Sequence, residues 1–238
     1  MPGNIADLIT ILRGGGEHWL LLFDIDGTLV DTGGKGMSAL NKTAIEVFGG
    51  DGPQLDLAGS TDLGILENLY VHFGVDPTDE QTHSFFEAYH RHLEASLETD
   101  LTDGRILEGV TGLLEHLATV EHAQLALLTG NTLLGAQIKL RHYGLDHHFA
   151  FGAYGSDKSD RNLLGMIALE RALAITGRAY HPEQTLVIGD TPKDIACAHA
   201  VGARCLAVAT GRFTPEELET AGADWVLPSF LDFSLSGS

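Results

Sequence analysis

Basic residues are scarce in this chain, and that scarcity is the first constraint on what it does. There are 14 Lys and Arg against 33 Asp and Glu, giving a formal net charge of −19 over 238 residues. No run of basic residues exists to replace the counterions of a polyanion. A nucleic-acid partner and an anionic membrane surface are therefore not expected. Cysteine is nearly absent too. Cys197 and Cys205 are the only two, both in apolar-periodic segments, with no CxxC and no Cys/His zinc spacing, so a reduced, buried pair is expected. Long apolar runs are missing: the longest is much shorter than a membrane span. The N-terminus lacks a basic region followed by an apolar stretch and a small-residue cleavage site. The cytoplasm is the expected compartment.

The chain does have apolar material for a core, at 44% hydrophobic residues. Its length fits one domain with a large insertion, or two small domains. Strands are expected at Trp19–Phe23, Gln124–Leu128, Thr185–Ile188 and Arg204–Val208, with weaker ones at Phe149–Ala153 and Trp225–Leu227. Helical patterns lie between them, over Val110–Thr119, Leu133–His142, Asn162–Ile175, Lys193–Val201 and Pro215–Ala221. This alternation reads as an α/β fold, a Rossmann-like parallel sheet with helices on both faces. A leader helix is expected over Ile5–Leu12. Residues 34–108 break the alternation and show no convincing strand. They read as an inserted α-helical domain with helices at Lys35–Phe48, Asp62–Phe73 and Asp79–Leu97. The expected division is a core of residues 1–33 and 109–238 and a helical cap of residues 34–108. An insert at the ligand edge of a sheet is placed to act as a lid, or else is a purely structural subdomain.

Four polar motifs fall at strand ends. Residues 20–30, Leu-Leu-Leu-Phe-Asp-Ile-Asp-Gly-Thr-Leu-Val, deliver Asp24 and Asp26 to the tip of the first strand, ahead of Gly27 and Thr28. Two acids at that edge suit a metal, a carboxylate nucleophile, or both. The second strand ends at Thr129-Gly130-Asn131. A basic pair, Lys158 and Arg161, precedes the Asn162 helix. The fourth motif is Gly189-Asp190-Thr191-Pro192-Lys193-Asp194, with two acids four residues apart. Each has a plainer alternative. Thr129 could cap the next helix, Asp190 and Asp194 could be acids favoured by a helix dipole, and Thr28 could brace its turn.

In this order and spacing the four motifs resemble those of the haloacid dehalogenase superfamily, from Trp19 to about Leu227. The helical insert resembles the cap of its phosphoglycolate phosphatase-like and β-phosphoglucomutase-like branch. The resemblance implies a Mg2+-dependent phosphatase acting on a small phosphorylated metabolite, of phosphoglycolate or sugar-phosphate type, through an aspartyl-phosphate. It implies Asp24 as nucleophile and metal ligand, and Asp26 as acid/base with its carbonyl on the metal. Asp190 becomes a metal ligand, and Asp194 binds the metal or orients its waters. Thr129, Gly130 and Asn131 hold the phosphoryl oxygens, and Lys158 or Arg161 neutralises charge. The sequence departs from the usual third motif, since no proline follows Lys158; the Asp160-Arg161-Asn162 run favours Arg161 slightly. Thr61 and Asp62, in the Gly59–Asp62 turn of the insert, are substrate-specificity candidates or else an N-cap and first turn. Asp26 argues against dehalogenation and against phosphonate hydrolysis. A β-phosphoglucomutase-like phosphomutase is the rival reaction, though Thr28 resembles the phosphatase form. A non-catalytic, regulatory phosphate-binding member is the remaining alternative. Oligomeric state is not legible.

Overall fold

The computed structural model describes residues 18–53, 56–99 and 104–232. The expected leader helix over Ile5–Leu12 lies outside the described residues. Six strands form one parallel sheet in the order β5-β4-β1-β6-β7-β8. These are β1 Trp19–Phe23, β4 Ala123–Thr129, β5 Gly152–Tyr154, β6 Thr185–Gly189, β7 Arg204–Val208 and β8 Trp225–Leu227. β1 is central, paired to β4 on one side and β6 on the other. All five of its side chains are buried. A strand covered on both faces has no need of polar alternation, which is why it reads as a continuous apolar run. Leu21 and Phe23 enter one core cluster, and Leu20 and Leu22 the other. Each such side chain contributes roughly 2 kcal/mol on burial.

Helices α4 (Val110–Leu117), α5 (Leu133–His142), α6 (Leu164–Thr176), α7 (Pro192–Val201) and α8 (Pro215–Thr220) alternate with these strands. From β1 the chain moves first to β4 and β5, then returns to build β6, β7 and β8 on the other side. The strand order thus reverses at β1, and the crevice at the carboxyl ends of β4, β1 and β6 is where an open α/β sheet binds ligands. Asp24 and Asp26 follow β1 at that point.

The insert folds as α1 (Lys35–Phe48), α2 (Asp62–Phe73) and α3 (Asp79–Thr99) around a cluster that includes Leu40, Leu66, Leu69, Phe85, Tyr89 and Leu93. Phe85, Tyr89 and Leu93 recur every four residues, the stripe one face of a helix presents to a core. Gly49 and Gly74 close α1 and α2 in the left-handed conformation, which a side chain would resist. Ile138 of α5 joins the same cluster, so the insert packs on the sheet domain beside its ligand edge.

The expectation of no strand in residues 34–108 is corrected at the junction. β3 (Arg105–Ile106) pairs antiparallel with β2 (Val30–Asp31). Two residues per strand are too few for alternation to register in sequence. This ribbon ties the exit of the insert to its entry. Several boundaries also shift by one to three residues, two of them beside a 3-10 turn. A 3-10 turn over Asp146–His148 delays β5 to Gly152, and another over Arg161–Leu163 starts α6 at Leu164 rather than Asn162. Both cysteines are free and buried. Among the described residues no helix is long and apolar enough to cross a membrane.

Candidate active site

A cavity of about 230 Å³ lies between the sheet edge and the insert. Asp24, Asp26, Asp190, Gly130, Asn131 and Arg161 line its floor. Asp24 is 4% exposed, and its N–H donates to the carbonyl of Ile188 at 2.9 Å, which anchors it between β1 and β6. Asp24, Asp190 and Asp194 each offer an oxygen within 4.8 Å of the others, all three buried. The cation among them is Arg161. Its Nη2 is 3.3 Å from Asp24 Oδ1 and also pairs closely with Asp194 Oδ1.

One guanidinium does not balance three carboxylates. Burial, opposed by Arg161 and reinforced by Asp194 and Asp26, pushes Asp24 up to about 6. Burial together with Asp194 and Asp24 pushes Asp190 up to about 8. The same two carboxylates hold Arg161 more firmly protonated, against its own desolvation. Asp190 is also left open. Among the described residues its carboxylate accepts one long hydrogen bond, from Thr28 Oγ1 at 3.4 Å, and a Cβ on either Gly27 or Gly211 would collide with its Oδ2. Such a carboxylate, flanked by glycines that bring no side chain against it and short of positive charge, fits a divalent cation with oxygen ligands. Asp194 is differently employed. Its Oδ2 accepts from Thr191 N–H at 3.0 Å and Thr191 Oγ1 at 2.7 Å, a capping box that opens α7, with Pro192 at the first turn. It is fully buried, with both oxygens engaged, so it buttresses Arg161 and the motif turn.

Asp26 reaches into the cavity with its side chain 44% exposed. Lys139 Nζ donates to both of its oxygens, at 2.8 and 2.7 Å, and to Asn131 Oδ1 at 2.7 Å. Asn131 Nδ2 donates to Asp26 Oδ2 and to Thr129 Oγ1, each at 2.8 Å. Thr129 is buried beneath this network and does not line the cavity. It is not the helix cap either: Thr132 caps α5, accepting from Gly135 N–H. Lys139 lies outside the four sequence motifs. A signal existed, because Gly135, Ala136 and Lys139 share the buried face of α5 at helical spacing, and a lysine there needs an anionic partner.

The two basic candidates are placed very differently. Arg161 is 6% exposed and lines the cavity. Lys158 is exposed and is not brought to it. Arg161 also donates from Nη1 to the Gly59 carbonyl at 3.2 Å, so the same side chain touches the insert. The Gly59–Asp62 turn is stitched to the sheet edge. Asp62 N–H donates to the Gly130 carbonyl at 2.7 Å, and Asp62 Oδ2 accepts from Thr132 N–H at 2.7 Å. Thr61 caps α2, accepting from Gly64 N–H, and donates to the Ser159 carbonyl at 2.6 Å. Of that pair only Asp62 lines the cavity. Burial raises its pKa to about 6, against the opposing pull of Lys139.

The sequence signature of the haloacid dehalogenase-like hydrolases matches residues 21–208. No curated protein sequence matches the chain significantly. Among solved structures, a hydrolase from Pseudomonas syringae is 26% identical, with 91% of this chain and 96% of that one covered at a TM-score of 0.68. A mutant of CbbY from Rhodobacter sphaeroides, in complex with xylulose-(1,5)bisphosphate, is 22% identical over 90% and 95% of the two chains, with a TM-score of 0.70. A predicted phosphoglycolate phosphatase from Haemophilus somnus is 21% identical over 92% and 98%, with a TM-score of 0.64.

Proposed function

Because the chain belongs to the haloacid dehalogenase-like hydrolases, we propose that it hydrolyses a small phosphate monoester, with Asp24 as nucleophile and Mg2+ as cofactor. The observation that carries this reading is the pair of acids after β1: Asp24 is buried beside Arg161, Asp190 and Asp194, while Asp26 projects into the same cavity. The carboxylates of Asp24 and Asp190 and the main-chain carbonyl of Asp26 would hold the cation, with Asp194 behind them. When bound, Mg2+ supplies the positive charge that lets a carboxylate approach a phosphate dianion.

An Asp24 oxygen attacks phosphorus as the ester P–O bond breaks, and the departing oxygen takes a proton from Asp26. Water then attacks the aspartyl-phosphate, Asp26 recovers a proton from it, and Asp24 is released. Lys139 and Asn131 fix the Asp26 carboxylate throughout. Arg161 and the backbone amides of Gly130 and Asn131 face the equatorial oxygens, where charge builds. Residues 34–108 serve as a cap over the core of residues 1–33 and 109–238, and the stitched Gly59–Asp62 turn excludes water during transfer.

Asp26 also weighs against dehalogenation, which needs no acid at that position. A phosphomutase must grip a second phosphate from the cap side, and among the described residues no Lys, Arg or His of the insert lines the cavity. Both phosphoglycolate and a sugar phosphate remain within the substrate class by size. The test is release of inorganic phosphate from p-nitrophenyl phosphate with and without Mg2+. Release that needs Mg2+ and is lost in Asp24→Asn supports the reading; an active, metal-indifferent Asp24→Asn protein refutes it.

A further inference from the structure

The cap side of the cavity carries information on which ester is admitted. It presents Met37, Leu40, Leu57 and Ile65 as an apolar wall, and Ser60, Tyr89 and Asp62 as polar groups. The two cations that line the cavity are committed elsewhere. Lys139 is held by Asp26 and Asn131. The Nη atoms of Arg161 are held by Asp24, Asp194 and the carbonyls of Gly59 and Leu128. Asp62 is fixed at its backbone by Gly130 and at Oδ2 by Thr132. Its Oδ1 has no hydrogen-bond partner among the described residues. The group beyond the phosphate therefore meets an anchored carboxylate with an acceptor to spare, and no unpaired cation.

We propose that Asp62 selects the leaving group: the site takes phosphate esters of small alcohols that carry a hydrogen-bond donor, a hydroxyl or an ammonium, and no second anion. This rests on the phosphatase reading and narrows it, against phosphoglycolate and against bisphosphates. A second carboxylate would lose its water to enter a space already holding Asp26 and Asp62, and would find no countercharge. A donor in the same place gains a charge-assisted hydrogen bond to Asp62 Oδ1. The apolar wall covers the carbon skeleton of a short alcohol.

Three esters of matched size separate the cases: 2-hydroxyethyl phosphate, phosphoethanolamine and phosphoglycolate, each assayed with Mg2+ for kcat/KM. The wild-type protein is expected to favour at least one of the first two over phosphoglycolate by about tenfold or more. Whether the hydroxyl or the ammonium ester leads identifies the donor. Asp62→Asn keeps the shape and an acceptor for Thr132 but removes the charge. It is expected to shrink the discrimination against phosphoglycolate, chiefly through KM. A wild-type protein that turns over phosphoglycolate as well as the other two overturns the inference, whether or not the variant folds, and so does a folded Asp62→Asn with unchanged ratios. p-Nitrophenyl phosphate run alongside keeps the failures apart. Turnover of it with a preference for phosphoglycolate sinks only the Asp62 argument, while no turnover at all sinks the phosphatase reading as well.

Discussion

Stripped of divalent cations, the protein should lose stability as the pH rises from about 6.5 to about 8, because the folded state holds a proton on Asp190. Asp190 is 4% exposed and sits with Asp24 and Asp194 around the single guanidinium of Arg161. Burial first, then the two carboxylates, lift it from an ordinary 3.8 to about 8. A raised carboxyl stabilises the fold fully below the unfolded value, and that stability disappears as the pH climbs through the folded value. One retained proton gives a slope of at most about 1.4 kcal/mol per pH unit. Asp24 and Asp62, both lifted to about 6, act in the same direction but at lower pH. His90 and His148, both lowered chiefly by burial, act in the opposite direction and are largely spent by about pH 7. The window to pH 8 therefore belongs mainly to Asp190. Integrated across it, the loss is about 1.5 kcal/mol, or about 3–6 °C in the unfolding midpoint for a chain of this size. Thermal and urea unfolding in EDTA at three pH values would read it. Asp190→Asn should flatten the dependence, and saturating Mg2+ should flatten it in the wild type. Wild-type stability that holds level or rises across the window in EDTA would refute the reasoning.

Further outcomes follow from the same geometry. Arg161→Lys should lower kcat by about a hundredfold, since one ammonium cannot span two carboxylates and the Gly59 carbonyl, whereas Lys158→Ala should stay within about twofold; steady-state kinetics on p-nitrophenyl phosphate decide it. Lys139→Met should cut kcat by about ten- to a hundredfold by freeing the Asp26 carboxylate, with KM changed less. Its stability cost should be only about 1–2 kcal/mol in urea unfolding, because the half-exposed Asp26 can be rehydrated through the cavity. Gly130→Ala would drive a methyl into the Ser60 carbonyl, forcing the Gly59–Asp62 turn off the sheet edge. It should raise KM and lower the melting temperature together, and a variant matching wild type in both would show that the turn does not close on Gly130.

Much of this architecture is legible in the sequence for identifiable reasons. β1 and β7 are bounded as expected, because both lie inside the sheet and are apolar along their length, apart from the partly buried Arg204 that opens β7. Helices α1, α2 and α5 also keep their expected bounds; glycine ends the first two, and Thr132 opens the third. What escaped was short or non-local. The β2–β3 ribbon has two residues per strand, below the length at which a period can be seen. The spacing along α5 marks Lys139 as a buried lysine that needs an anion, but its partner lies 113 residues away, and no local pattern names it. The choice between Lys158 and Arg161 turns on burial: a 3-10 turn capped by Asp160 points one inward and leaves the other in solvent. Asp194 is legible as an acid near the site, and Thr191-Pro-Lys-Asp194 has capping-box spacing, but its contact with Arg161 is non-local.

The central claim is that Asp24 carries the phosphoryl group, and the most direct measurement is to capture it there. Turnover in the presence of hydroxylamine, followed by peptide mass spectrometry, should yield a hydroxamate on the peptide containing Asp24, dependent on both substrate and Mg2+, with matching loss of activity. The same modification on a different carboxylate, or an Asp24→Asn protein that still turns over substrate at the wild-type rate, would contradict the account.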